Sequence, residues 1–187
     1  MRILVACEFT GTVRDSFIRL GKDHDVWSCD LLASETAGPH LQCDVRDVLG
    51  DGWDMMIAHP PCTHLAVSGA AHFREKIRDG RQAAAVALFR EIALAPIPRK
   101  CIENPVSIMS DPVHFMPPMQ VIQPYQFGHG EKKRTCLWLF GLPKLVHTHI
   151  VDGRSERIRN MSYHRDRAKN RSRTYPGIAA AMAAQWG

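Results

Sequence analysis

A thiol and a carboxylate each follow a short apolar run. Asp54-Met55-Met56-Ile57-Ala58 stops at His59-Pro60-Pro61-Cys62, and Cys101-Ile102 stops at Glu103-Asn104-Pro105. Each run reads as a buried strand, and the prolines, which cannot donate to a ladder, predict where it ends; Pro105 is expected to block the second. Ligands of open parallel sheets collect outside the carboxyl ends of the strands, so Cys62 and Glu103 are placed to converge on one substrate. A thiolate there is a nucleophile, and a carboxylic acid beside it is a proton donor.

The elements that must position these groups alternate between β-type and helical patterns, which predicts βαβ units and a mostly parallel sheet with helices on both faces. Strands are expected at Arg2–Ala6, Asp25–Cys29, a short stretch before Asp44, Trp53–Ala58, Arg99–Ile102 and Thr135–Phe140. Helices are expected at Thr10–Leu20, ended by Gly21, at about Asp79–Leu94, closed by Pro96 and Pro98, and at Ile178–Trp186 after Pro176. The region containing Met116-Pro117-Pro118 and Gln123-Pro124 reads as loop. No internal repeat or interdomain linker interrupts the chain, so its 187 residues are expected to form a single domain.

The composition, 45% hydrophobic and 23% charged, is that of a globular protein. There is no apolar run of about 18 residues to span a bilayer, and Met1–Ala6 is too short for a signal peptide. A cytoplasmic protein without membrane association is the expectation. Cys7, Cys29, Cys43, Cys62, Cys101 and Cys136 stand singly, so a disulfide framework is not expected, and all but Cys62 read as buried free thiols. The net charge of +5 is concentrated in Arg154, Arg157, Arg159, Arg165, Arg167, Lys169, Arg171 and Arg173, within a polar segment at about 147–173. Such a run fits either a solvated loop or a phosphate-binding surface.

Near the N-terminus, Phe9-Thr10-Gly11-Thr12-Val13 lies between the first strand and its helix, where glycine lets backbone approach a ligand. Asp30 follows the second strand and Asp44 the third; carboxylates there suit ribose hydroxyls and an adenine amino group. The chain lacks both GxGxxG and GxxxxGK[ST], so a phosphate-bearing dinucleotide or nucleotide hydrolysis fits poorly. An adenosyl cofactor without phosphates, S-adenosylmethionine, fits better and carries an electrophilic methyl group.

Cytosine C5 is a poor nucleophile unless a thiolate adds at C6, and a carboxylic acid at N3 eases that addition. Cys62 and Glu103 are the groups this requires. Together with Pro60-Pro61-Cys62, Glu103-Asn104-Pro105, Phe9-x-Gly11, Asp30, Asp44 and Tyr175-Pro176-Gly177-Ile178-Ala179, they make the chain resemble the DNA cytosine-5 methyltransferase family. The resemblance implies a Rossmann-like, class I S-adenosylmethionine-dependent methyltransferase fold. It also implies Cys62 as nucleophile, Glu103 as N3 proton donor, Asn104 as an orienting group, and a cofactor pocket shaped by Phe9, Gly11 and Pro60 with Asp30 on ribose and Asp44 on adenine.

Four departures accompany the likeness. Val13 replaces a second glycine and Pro105 a valine, and Glu131-Lys132-Lys133-Arg134-Thr135 stands where the family has Gln-x-Arg-x-Arg. Arg134 is the first candidate there for contact with the base or a phosphate, with Lys133 next. Little chain separates Phe140 from the C-terminal motif, where the family inserts a target-recognition domain; this resembles minimal, phage-encoded members acting in a bacterial host. Without that domain, DNA is the expected partner, single-stranded or with a helper protein, while RNA and free nucleotide remain open. A zinc site at His59, Cys62, His64 and His72 lacks a second ligand pair, so no metal is expected. Cytidine deamination fails because Leu65 occupies the second cysteine position and no HxE precedes it. The rival is a non-catalytic cofactor- or nucleic-acid-binding protein on the same fold.

Overall fold

The computed structural model describes residues 1–156 and 167–187, the side chains of 167–169 excepted. The strands are β1 (Arg2–Ala6), β2 (Asp25–Asp30), β3 (His40–Gln42), β4 (Met55–Ala58), β5 (Arg99–Pro105), β6 (Gln120–Ile122) and β7 (Thr135–Phe140). The helices are α1 (Thr12–Arg19), α2 (Phe73–Arg78), α3 (Arg81–Leu94), α4 (Arg167–Ser172) and α5 (Pro176–Trp186). Among the described residues seven strands form one sheet in the order β3-β2-β1-β4-β5-β7-β6, parallel except for β7, which runs antiparallel to both of its neighbours.

Strand alternation explains why the central runs are apolar throughout: both faces are covered. Ile3, Val5, Met55, Ile57 and Cys101 pack with Val13 and Phe17 of α1 and Ile178, Ala179, Met182 and Trp186 of α5. Leu4, Ala6, Met56, Ala58 and Ile102 face the other way, onto Phe89, Ile92 and Ala93 of α3, with Trp53 and Trp138. The Trp138 ring meets Phe89 edge-on at 5.1 Å, and its indole N–H donates to the Met116 carbonyl. The alanine-rich C-terminal segment is therefore core packing.

Two strand expectations change. β5 runs through Glu103 and Asn104 to Pro105, because antiparallel β7 pairs with it beyond the point where β4 stops, at Ala58 opposite Ile102. The Gln120–Ile122 stretch, expected as loop, is an edge strand on β7, where three residues suffice for pairing but give no readable period. Cys29, Cys101 and Cys136 are buried free thiols as expected, but Cys7 and Cys43 are only partly buried. Among the described residues no helix is long and apolar enough to cross a membrane. Of the basic run, Arg157, Arg159 and Arg165, with the side chains of Arg167 and Lys169, lie outside the described residues.

Candidate active site

The adjacent parallel strands β4 and β5 bring the two reactive segments together. Asn104 is buried, and its amide nitrogen donates to the Pro60 carbonyl at 2.8 Å, tying the Pro-Pro-Cys turn to β5. Glu103, 8% exposed, accepts a hydrogen bond at Oε2 from His59 Nδ1, 2.9 Å away. Burial alone would raise the Glu103 carboxyl, but the His59 hydrogen bond and the charges of Lys133 and His59 outweigh it and hold it below the usual carboxylate range. A carboxylate only accepts, so Nδ1 carries the hydrogen.

Cys62 is partly buried. Burial and the Glu103 charge push its thiol up, opposed by Lys133, by a backbone N–H and by Arg171 of α4. The balance favours the thiol over the thiolate. Alkylation of Cys62 by iodoacetamide is accordingly expected to accelerate with pH through and beyond the ordinary thiol range. Lys133→Ala should move that profile further up, since it removes a charge that favours the thiolate; an unchanged profile would remove Lys133 from the site's electrostatics.

The two basic candidates separate here. Lys133 is half-buried, its Nζ donates to the Arg173 carbonyl at 3.3 Å, and its charge acts on both Cys62 and Glu103. Arg134 is exposed, and its charge acts on the Cys136 thiol of β7. The structure thus brings Lys133, the second candidate, to the thiol–carboxylate pair. Position within an irregular segment decided this, and no sequence period could have shown it.

The other half of the candidate site lies at the carboxyl ends of β1, β2 and β3. Gly11 caps α1 with φ 72°, and a Cβ there would stand 2.1 Å from Thr36 Oγ1. Gly11→Ala should cost about 1–3 kcal/mol from backbone strain alone, read as a lower urea midpoint. Glu8, at the end of β1, supplies the cap that Gly11 lacks: its carboxylate accepts from the Val13 and Arg14 backbone N–H groups at 2.7 and 3.2 Å. Arg14 is fully buried and donates to Ser28, Ser34, Thr36 and Ala37, fixing the loop after β2.

Asp30 accepts from the Leu32 backbone N–H, and Asp44 accepts from the Arg46 N–H and pairs with its guanidinium at 3.1 Å. Both carboxylates act on Cys7, which burial and their charges push up to about 12. Cys7 itself sits at φ 57°, a left-handed conformation rare outside glycine, at the turn leading from β1 to Phe9. Phe9 is half-buried; the Arg173 guanidinium lies 5.9 Å from its ring centre and also makes two hydrogen bonds to Glu35, at 2.7 and 2.9 Å. The segment joining α4 to α5 thereby reaches the β1 and β2 ends. Gly177, in the C-terminal motif, is confined by the Phe127 carbonyl, 1.9 Å from where a Cβ would be, and its N–H donates to His129.

Glu8 and Arg14 are thus parts of this end that the sequence did not single out, and Arg173 stood out there only as one of the basic run. For Glu8, a carboxylate two residues after β1 and before the glycine was the available signal.

No family model matches the chain, and no curated protein matches it. Among solved structures it is similar to a candidate DNA modification methyltransferase encoded within an E. coli prophage, at 15% identity and a TM-score of 0.53. The fold is Rossmann-like, of the methyltransferase type. The match covers 81% of this chain and 52% of the other, so the chain spans about half the length of that structure. At this identity the likeness speaks for the fold; chemistry has to be argued from the residues.

Proposed function

We propose that this protein methylates cytosine at C5 in DNA through a covalent Cys62 adduct, with S-adenosylmethionine as cofactor. The observation that carries the reading is the junction of β4 and β5, where the Cys62 turn is tied through Asn104 to the strand holding a buried, hydrogen-bonded Glu103. In this reading Cys62 adds to C6, Glu103 protonates N3, Asn104 holds the nucleophile's turn, and Lys133 takes the electrostatic part first expected of Arg134. Once C5 is methylated, its proton leaves and the thiol is eliminated.

The cofactor end fits an adenosyl group. Gly11 makes the left-handed turn into α1 with Thr36 and Arg14 packed where a Cβ would stand, and Asp30 and Asp44 supply acceptors around the β1 turn. Phe9, Gly11 and Pro60 would shape the pocket, Asp30 would accept from ribose, and Asp44 would accept from the adenine amino group. S-adenosylmethionine supplies an electrophilic methyl group there.

Only residues 141–175 separate β7 from α5. That leaves little chain for reading base edges or supporting a flipped base, which favours single-stranded DNA or help from a second protein over unaided duplex recognition. The test is transfer of labelled methyl from S-adenosylmethionine to duplex DNA, single-stranded DNA, RNA and dCMP. Label in cytosine of one DNA form supports the reading and names the form; label confined to RNA or dCMP changes the substrate; cofactor binding without label on any of them favours the non-catalytic rival.

A further inference from the structure

His59 directly precedes the Pro-Pro-Cys turn, at the end of β4, and its imidazole is 10% exposed. Its Nδ1 is committed to Glu103 Oε2, while its Nε2 is buried with no hydrogen-bond partner among the described residues. A histidine kept only for packing would be expected to satisfy both nitrogens, since an orphaned buried nitrogen is costly. This ring is held for one contact. Among the described residues Glu103 Oε1 takes no hydrogen bond, so one carboxyl oxygen is tied down and the other is available to a ligand.

We propose that His59 is the positioning residue for proton transfer by Glu103: its Nδ1–H anchors Oε2, leaves Oε1 for the base, and stabilises the carboxylate formed when Oε1 gives up its proton. The inference rests on the reading of Glu103 as the N3 donor. In that step the thiolate pair of Cys62 forms the Sγ–C6 bond and the C5=C6 π pair becomes C4=C5. The C4=N3 π pair moves onto N3, which takes the Oε1 proton. The negative charge that leaves sulfur arrives on Glu103, where the His59 hydrogen bond receives it. No other reactant is consumed in this addition, and the proton returns by the reverse path on elimination.

The groups facing Glu103 give the pH dependence its sign. Lys133, before β7, and His59, from β4, favour the carboxylate. Cys62, Cys101 and Cys136 surround it as thiols that its charge pushes up, and Arg171 of α4 acts on Cys62. Removing His59 should raise the Glu103 titration, making it a weaker acid that stays protonated to higher pH.

The test compares wild type, His59→Gln and His59→Leu in the full chain by two measurements. Carbon-13 NMR of the Glu103 carboxyl should show an upward shift of its titration in His59→Leu and a smaller one in His59→Gln, which keeps an N–H but lacks the imidazole. In methyl transfer to the DNA form that the wild type accepts, kcat should fall on the order of 10- to 100-fold in His59→Leu. KM should be nearly unchanged, and the alkaline limb of kcat should move to higher pH. A carboxyl titration that stays put in both variants overturns the proposal, as does a loss of kcat with the alkaline limb unmoved, which marks a merely structural role. If His59→Leu does not fold, the Gln variant decides by the same shift. Wild type that methylates no cytosine sinks the functional reading instead, while the carboxyl titration still decides whether His59 controls Glu103.

Discussion

Cys62→Ala is expected to lower methyl transfer on the order of 10⁴-fold or more while leaving S-adenosylmethionine binding little changed. The separation follows from the architecture. Cys62 sits beyond β4, whereas the proposed adenosyl contacts other than Pro60 lie at the ends of β1, β2 and β3, organised by Glu8, Gly11 and Arg14 through bonds that do not involve the thiol. The substitution removes a partly buried sulfur from a turn whose anchor is the Asn104 bond to Pro60, so the fold should survive it. Oligonucleotide carrying 5-fluorocytosine gives an independent readout, because fluorine at C5 cannot leave as the proton does and the adduct should persist. Intact mass should show wild type joined to DNA and methyl, and Cys62→Ala free. A Cys62→Ala protein that still methylates cytosine excludes the covalent mechanism.

The placement of Cys62 and Glu103 at adjacent strand ends was legible in the sequence because strand ends announce themselves chemically. Apolar runs that stop at Pro-Pro-Cys and at Glu-Asn place polar groups where a parallel sheet presents its ligand edge. The same logic found Asp30 at the end of β2 and Asp44 just after β3. What failed was anything fixed by a partner strand or by an aperiodic segment. β5 passes Ile102 because β7 offers it a ladder, so Glu103 and Asn104 lie within a paired strand and gain its rigidity. Lys133 and Arg134 are neighbours in a stretch without regular structure, held by the Gln123 side chain accepting from the Lys133 backbone N–H, a contact no local pattern announces. His59 was visible only as a possible metal ligand. Its partnership with Glu103 needed the β4–β5 register, with Ala58 opposite Ile102, to place each next residue beside the other.

Glu103→Gln should reduce kcat by on the order of 10²–10⁴-fold with DNA and cofactor binding largely retained. Gln keeps the length of the side chain and an oxygen to accept from His59, but it has no proton to give N3. Folding should tolerate the change, since the Gln oxygen still accepts from His59 Nδ1–H and Lys133 keeps its bond to the Arg173 carbonyl. The variant also orders the two residues in the mechanism. If His59 acts through Glu103, adding His59→Leu to Glu103→Gln should cost far less than His59→Leu costs the wild type, a strong departure from additivity between residues in contact. Two fully additive losses would mean that His59 and Glu103 serve separate steps, and the proton path would then have to run through a different group.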